Sequence, residues 1–262
     1  MNLSAPPDLP DTPPAPPAHA AEPPVWGAWA TVGWGLLVTG VYFAASIMVV
    51  FVFAIFHLAG GGAMDAETLT GHLARGEIIA LAALVSVPVE IGLVVLIIKM
   101  KRGSDLRHYL ALKAPSVRSL LWVAGVCLAM IAVFDGVSLL LGRPVVAPFM
   151  VEAYVNCSVP ALLWLALVVA APVVEEVVFR SFLLQGWKDS AIRPWGAVIL
   201  SSIFWTSLHA GYDLYALTSI FVAGLLLGFI WLRTRSVWLC IFMHALMNLI
   251  ATLETAWVAA HP

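Results

Sequence analysis

The chain is a succession of apolar runs, each close to the roughly 20 residues that a helix needs to cross a bilayer. They fall at about Thr31–Leu58, Glu77–Ile98, Val117–Leu141, Pro160–Gln185, Pro194–His209, Leu214–Leu232 and Val237–Val258. In hydrocarbon, every backbone N–H and C=O must be paired inside the protein, so a spanning segment is a helix or part of a closed barrel. These runs are continuous rather than alternating, which argues against barrel strands. The expected fold is all-α, a polytopic transmembrane helix bundle of about seven spans. The fifth run is short and is expected to be tilted or partly re-entrant.

Composition excludes the competing classes. Of 262 residues, 62% are hydrophobic and 11% charged, against roughly 25% charged in an ordinary soluble domain. Too few charges remain to cover a water-facing surface. The net charge of -2 offers no basic footprint, so no nucleic-acid partner is expected. Cys127, Cys157 and Cys240 are far apart among apolar residues and form neither a disulfide framework nor a CxxC knuckle.

Residues 1–27 stand apart. Nine of the 17 prolines lie before Val25, with Ala, Asp and Glu between them. Such a segment buries little apolar surface and is expected to be a disordered, Pro-rich cytoplasmic tail. It lacks the charged and apolar regions of a signal peptide. Residues 28–262 are read as one transmembrane domain.

Loop charges orient it. Lys99, Lys101, Arg102, Arg107, Lys113 and Arg118 cluster between the second and third runs, which makes that loop cytoplasmic by the positive-inside rule. Alternating spans then place Lys188, Arg193, Arg233 and Arg235 inside and only Arg75 and Arg143 outside. The N-terminus is expected in the cytoplasm and the C-terminus outside.

A charge at mid-bilayer costs about 2.5–3.5 kcal/mol on insertion scales, so ionisable residues inside the runs are functional suspects. The densest group is Glu175-Glu176-Val-Val-Phe-Arg180. Glu176 and Arg180 are four apart, acid first, and stack on one helical face. Glu175 lies about 100° further round and has no partner at that spacing. A lone carboxylate in an apolar setting suits a general base or acid.

His209 closes the fifth run, with Trp205 four residues before it. His244 and Asn248 share a face of the last. Rises of about 1.5 Å per residue put Glu175, His244 and His209 about 15, 10 and 22 Å from the cytoplasmic end, so a tilted fifth helix is needed to bring them together. Glu90, beside Pro88, and Asp135, Asp213 and Glu254 are read as structural or boundary residues.

An unpaired Glu, two His and an Asn suit water activation and attack on a carbonyl. Glu175 would take the proton, a His would hold water or protonate the leaving amine, and His244 or Asn248 would donate to the oxyanion. No Ser sits in a GxSxG elbow. No cofactor is required by this set. Zinc is the alternative, with Glu175, His209 and His244 as ligands and Glu176 as base, although no HExxH is present.

These motifs resemble those of the CPBP family, the CAAX-protease and bacteriocin-processing intramembrane proteases, also called the type II CAAX prenyl endopeptidase or abortive-infection family. Its EExxxR motif stands as Glu175 to Arg180. Its FxxxH motif ends on His209, with Trp205 in place of the Phe. Its HxxxN motif is His244 to Asn248. The resemblance covers about residues 160–258. It implies an intramembrane endopeptidase with Glu175 as base, His209, His244 and Asn248 completing the site, and Glu176, Arg180 and Trp205 supporting it.

The implied partners are membrane lipid and a membrane-associated protein or peptide substrate. The chain's compactness and residue usage point to a bacterial inner membrane, where peptide maturation or bacteriocin self-immunity fits better than a prenylated substrate. A catalytically inactive scaffold or immunity protein of the same fold, a zinc-dependent protease and a proton-coupled transporter are the alternatives. No internal repeat supports the transporter.

Overall fold

The structure is a computed structural model that describes residues 22–63, 65, 68, 69, 71, 75–209 and 211–261. It is helical throughout, and among the described residues the only β pairing is an isolated bridge between Leu112 and Ser236. Among the described residues, six helices are long and apolar enough to cross a membrane. They are α1 (Ala28–Ala59), α2 (Gly76–Met100), α4 (Val117–Leu140), α6 (Pro160–Trp187), α8 (Leu214–Thr234) and α9 (Val237–Ala260). Between them lie α3 (Leu106–Tyr109), α5 (Pro148–Val155) and α7 (Arg193–Ser207). The chain is an integral membrane protein.

The fifth expected span is α7, at 15 residues too short to count by length. Its two ends nevertheless lie at opposite ends of the bundle. Beyond its C-terminus, Asp213 pairs with Arg143 and the Tyr212 ring packs on Phe149 at 4.8 Å, both on the segment between α4 and α6. With α7 included, the order of crossings agrees with about seven.

Contacts between loops define the other end. The Trp26 indole donates to the Ile97 carbonyl (3.0 Å), so α1 begins where α2 finishes. Ser236 donates to the Lys113 carbonyl (2.6 Å), tying the start of α9 to the loop before α4. The basic residues of the 99–118 loop therefore share an end with Arg233 and Arg235, as the alternation of spans requires. Residues 22–27 differ from the sequence expectation. They were grouped with the tail, but Trp26 also bonds the Tyr109 hydroxyl (3.3 Å) and packs on Trp34. One large aromatic outweighs the proline-rich context. The rest of the expected tail lies outside the described residues.

Helix ends follow local chemistry. Ser116 and Ser119 form a capping box at α4, and Asp213 accepts from the Ala216 N–H (2.9 Å) to cap α8. Pro148, Pro160 and Pro194 occupy the first helical positions, where a missing N–H costs nothing.

Helix α6 is the centre of the bundle and is not a regular α-helix. Leu165–Ala170 and Glu176–Leu184 are π-helical. The first π turn directly precedes Pro172, whose ring displaces the carbonyl four residues back and whose missing N–H cannot bond it. A wider turn relieves that clash. The second is wholly buried, with α1, α7 and α9 around it. Single-turn π segments are rare and gather at functional sites.

Helices α7 and α8 meet closely at Gly224 and Gly228. A Cβ on Gly224 would lie 3.0 Å from Ser202 Cβ and 3.2 Å from the Trp205 ring, and one on Gly228 would lie 2.7 Å from Val198. This is the small-xxx-small packing typical of membrane helices, in which bare backbone lets two axes approach. It sets the position of α7, and with it Trp205 and His209.

Candidate active site

Helix α6 brings the two adjacent acids into different surroundings. Glu176 is fully buried and Glu175 is 27% exposed. Glu176 Oε2 pairs with Arg180 Nε at 3.2 Å, on the same helix. Its other oxygen, Oε1, bonds His244 Nδ1 at 2.9 Å, reaching across to α9. A carboxylate paired with Arg only accepts, so Nδ1 of His244 carries a proton and donates it, and Nε2 is the nitrogen turned toward Glu175. That Nε2 lies 3.9 Å from Glu175 Oε2, a gap that one water can bridge.

Glu175 has a partner after all, supplied by α7 rather than by its own helix. Trp205 Nε1 donates to Glu175 Oε2 at 2.5 Å. The indole is 3% exposed and packs edge-on against both histidines, at 4.9 Å from His209 and 5.3 Å from His244. Its face takes the Arg180 guanidinium at 4.5 Å, a cation–π contact. Arg180 also reaches the Gly224 carbonyl at 3.5 Å.

His209 is anchored through Nδ1 to the Trp205 carbonyl at 2.9 Å. A carbonyl only accepts, so Nδ1 carries a proton here too and Nε2 is left without a committed partner. Asn248 donates through Nδ2 to the Leu167 carbonyl at 2.7 Å, inside the first π segment of α6. One amide hydrogen is thereby committed and the other remains.

Two cavities meet at Trp205 and His209. One, of about 340 Å³, is lined by His209, His244, Asn248, Asp135 and Glu254. The other, of about 250 Å³, is lined by Glu175, Glu90, Tyr42 and His209. His244 and Asn248 line the first and Glu175 the second, but Trp205, His209 and Tyr212 line both, and the 3.9 Å approach of His244 to Glu175 joins the two at the site. The sequence gives Trp205 a supporting place beside His209, but not the bond from its indole to Glu175.

Tyr212 lines both cavities and was not singled out from sequence. Its ring lies 6.1 Å from that of His209. Burial first, and then the Glu175 carboxylate, push its hydroxyl up to about 12, so it stays a donor at neutral pH. Its place three residues after His209, where α7 ends, was the available signal.

Among the described residues no three His, Cys, Asp or Glu side chains come together in a metal-sized group.

Residues 157–250 match the family described as Rce1-like, type II CAAX prenyl endopeptidase Rce1-like. A 130-residue stretch is 28% identical to an uncharacterized 24.3 kDa protein of Escherichia coli. That match covers 47% of this chain, and the chain spans only 58% of the length of that relative. No solved structure matches it. The matched segment contains Glu175, Glu176, Arg180, Trp205, His209, His244 and Asn248, so every residue of the site lies in the part of the chain that is similar to that family.

Proposed function

We propose that the chain is an intramembrane endopeptidase that hydrolyses peptide bonds of membrane-associated proteins or peptides with water activated by Glu175. The observation that carries this reading is the 3.9 Å approach of His244 Nε2 to Glu175 Oε2, with His244 fixed from behind by Glu176. A water in that gap donates one proton toward Glu175 and the other to the Nε2 lone pair, which points its oxygen lone pair at a substrate carbonyl. Glu175 takes the proton as the C–O bond forms. The oxyanion then accepts from the second amide hydrogen of Asn248. Glu175 returns its proton to the amine as the C–N bond breaks, which regenerates the carboxylate. His209 Nε2 is a further acceptor on the Glu175 side.

The steps are written without a metal, and the commitment of the buried Glu176 to Arg180 and His244 supports Glu175, rather than Glu176, as the base. The substrates proposed are bacterial membrane peptides undergoing maturation, in an inner membrane with the 99–118 loop in the cytoplasm.

The test compares the membrane peptidome, by mass spectrometry, of cells carrying wild type and Glu175→Gln. Peptides present only with wild type are expected, and the purified protein should cleave them equally after dialysis against EDTA. Identical peptidomes would remove the protease reading. Loss of cleavage in EDTA, restored by zinc, would replace the metal-free mechanism.

A further inference from the structure

The cavity that holds Glu175 contains a second carboxyl group that the proposed reaction does not use. Glu90, on α2, is 6% exposed, and its Oε1 has no hydrogen-bond partner. It lines the same 250 Å³ chamber as Glu175. No Lys or Arg lines that chamber among the described residues. The nearby guanidinium, Arg180, lies behind the Trp205 ring and is committed to Glu176. The remaining walls are rich in aromatic rings, among them Tyr42, Phe149, Trp205 and Tyr212.

An orphaned carboxyl oxygen in a low-dielectric chamber is costly unless something pairs with it. Two carboxyl groups among aromatic faces, with no cation of their own, are the chemistry that receives an ammonium or guanidinium. The carboxyl groups offer charge-assisted hydrogen bonds and the rings offer cation–π contacts. A chamber of this size holds a side chain rather than a peptide, and Glu175 in its wall places it beside the bond under attack.

We infer that the chamber between Glu90 and Glu175 is a specificity pocket for a basic side chain, Lys or Arg, next to the scissile bond. This rests on the protease reading for its meaning, but the pocket's affinity for a cation does not. Glu90 belongs to none of the three motifs and lies outside the family-matched residues, so the preference is a property of this chain's own α2.

The experiment uses the full chain in nanodiscs, in two arms. In the first, N-terminally acetylated peptides that differ only in Lys, norleucine or Glu beside the cut are compared, acetylation removing the terminal ammonium as a rival cation. Wild type should favour Lys over norleucine in kcat/KM by at least about tenfold, the low end for a hydrogen bond to a charged group. Glu90→Gln should reduce that ratio to below about twofold. In the second arm, n-hexylammonium is titrated against n-hexanol and followed by tryptophan fluorescence. Saturable binding of the ammonium alone is expected, weakened at least about tenfold in Glu90→Gln.

Equal cleavage of all three peptides, or equal binding of amine and alcohol, overturns the pocket. Cation binding without any hydrolysis keeps the pocket and sinks the protease reading. Hydrolysis without cation preference does the reverse. Should Glu90→Gln fail to fold by its melting curve, the wild-type peptide ratio and the amine–alcohol comparison still decide.

Discussion

The indole N–H of Trp205 donates to Oε2 of Glu175 at 2.5 Å, across 30 residues of sequence. The motif position that Trp205 fills carries Phe in the family it resembles, and a phenyl ring has no such donor. Here the ring holds the proposed base by one oxygen. Trp205→Phe should preserve the aromatic packing on His209 and His244 and lose only the donor. Turnover is expected to fall about tenfold or more, the worth of a hydrogen bond to a charged group, while KM stays near wild type. An unchanged kcat would show that the bond does not position the base.

The two adjacent acids should separate by phenotype. Glu176 and Arg180 are at most 1% exposed and paired, and removing one partner of a buried pair costs about 3–5 kcal/mol. Glu176→Ala and Arg180→Ala should lower folded yield and melting temperature. Glu175 opens on a cavity, so Glu175→Gln should leave the melting curve near wild type while turnover drops at least about a hundredfold. A stable Glu176→Gln that has lost all activity beside an active Glu175→Gln would reverse the assignment of the base.

Asn248 has a structural bond and a proposed chemical one. Asn248→Leu strands the Leu167 carbonyl, which should cost about 1–3 kcal/mol of stability. If its second hydrogen serves the oxyanion, turnover falls by roughly a hundred- to a thousandfold, far beyond what the melting shift explains. A loss of stability with full activity per folded molecule would confine Asn248 to anchoring α6.

Gly224 offers a test of how α7 is held. Alanine there meets Ser202 Cβ at 3.0 Å and the Trp205 ring at 3.2 Å, and overpacking of this kind costs about 1–3 kcal/mol. Because the displaced ring is the one that bonds Glu175, Gly224→Ala should lose turnover as well as stability. Gly125, on α4, has open space around its Cβ, so Gly125→Ala should do neither. Steady-state kinetics and melting curves on the pair check both.

Orientation can be read by labelling. Single cysteines at Arg102 and Ala114, both exposed at the basic end, should be protected from an impermeant reagent in intact cells, and one at Val145 should react. The opposite pattern would invert the assigned topology.

What sequence made legible was whatever sits close together along the chain. Glu176 and Arg180, or His244 and Asn248, are four apart and needed only helical spacing. The Trp205–Glu175 bond depends on the rotation of α7 against α6, which periodicity does not encode. The π turns were invisible because counting residues assumed 3.6 per turn throughout. Glu90, beside Pro88, reads from sequence as a structural or boundary residue, since nothing local reveals that its side chain reaches the chamber of Glu175. Gly224 and Gly228 carry a readable signature, but its meaning depends on knowing which helix packs there.

The placement of Glu176 and Arg180 on one helix has a consequence for how the chain is made. As α6 enters the membrane during synthesis, α9 and its His244 do not yet exist, being still 68 residues away. A helix delivered with an isolated mid-membrane charge would resist insertion by about 2.5–3.5 kcal/mol. Helix α6 brings its own counter-charge, so the acid that will later orient His244 is already neutralised before its partner emerges from the ribosome.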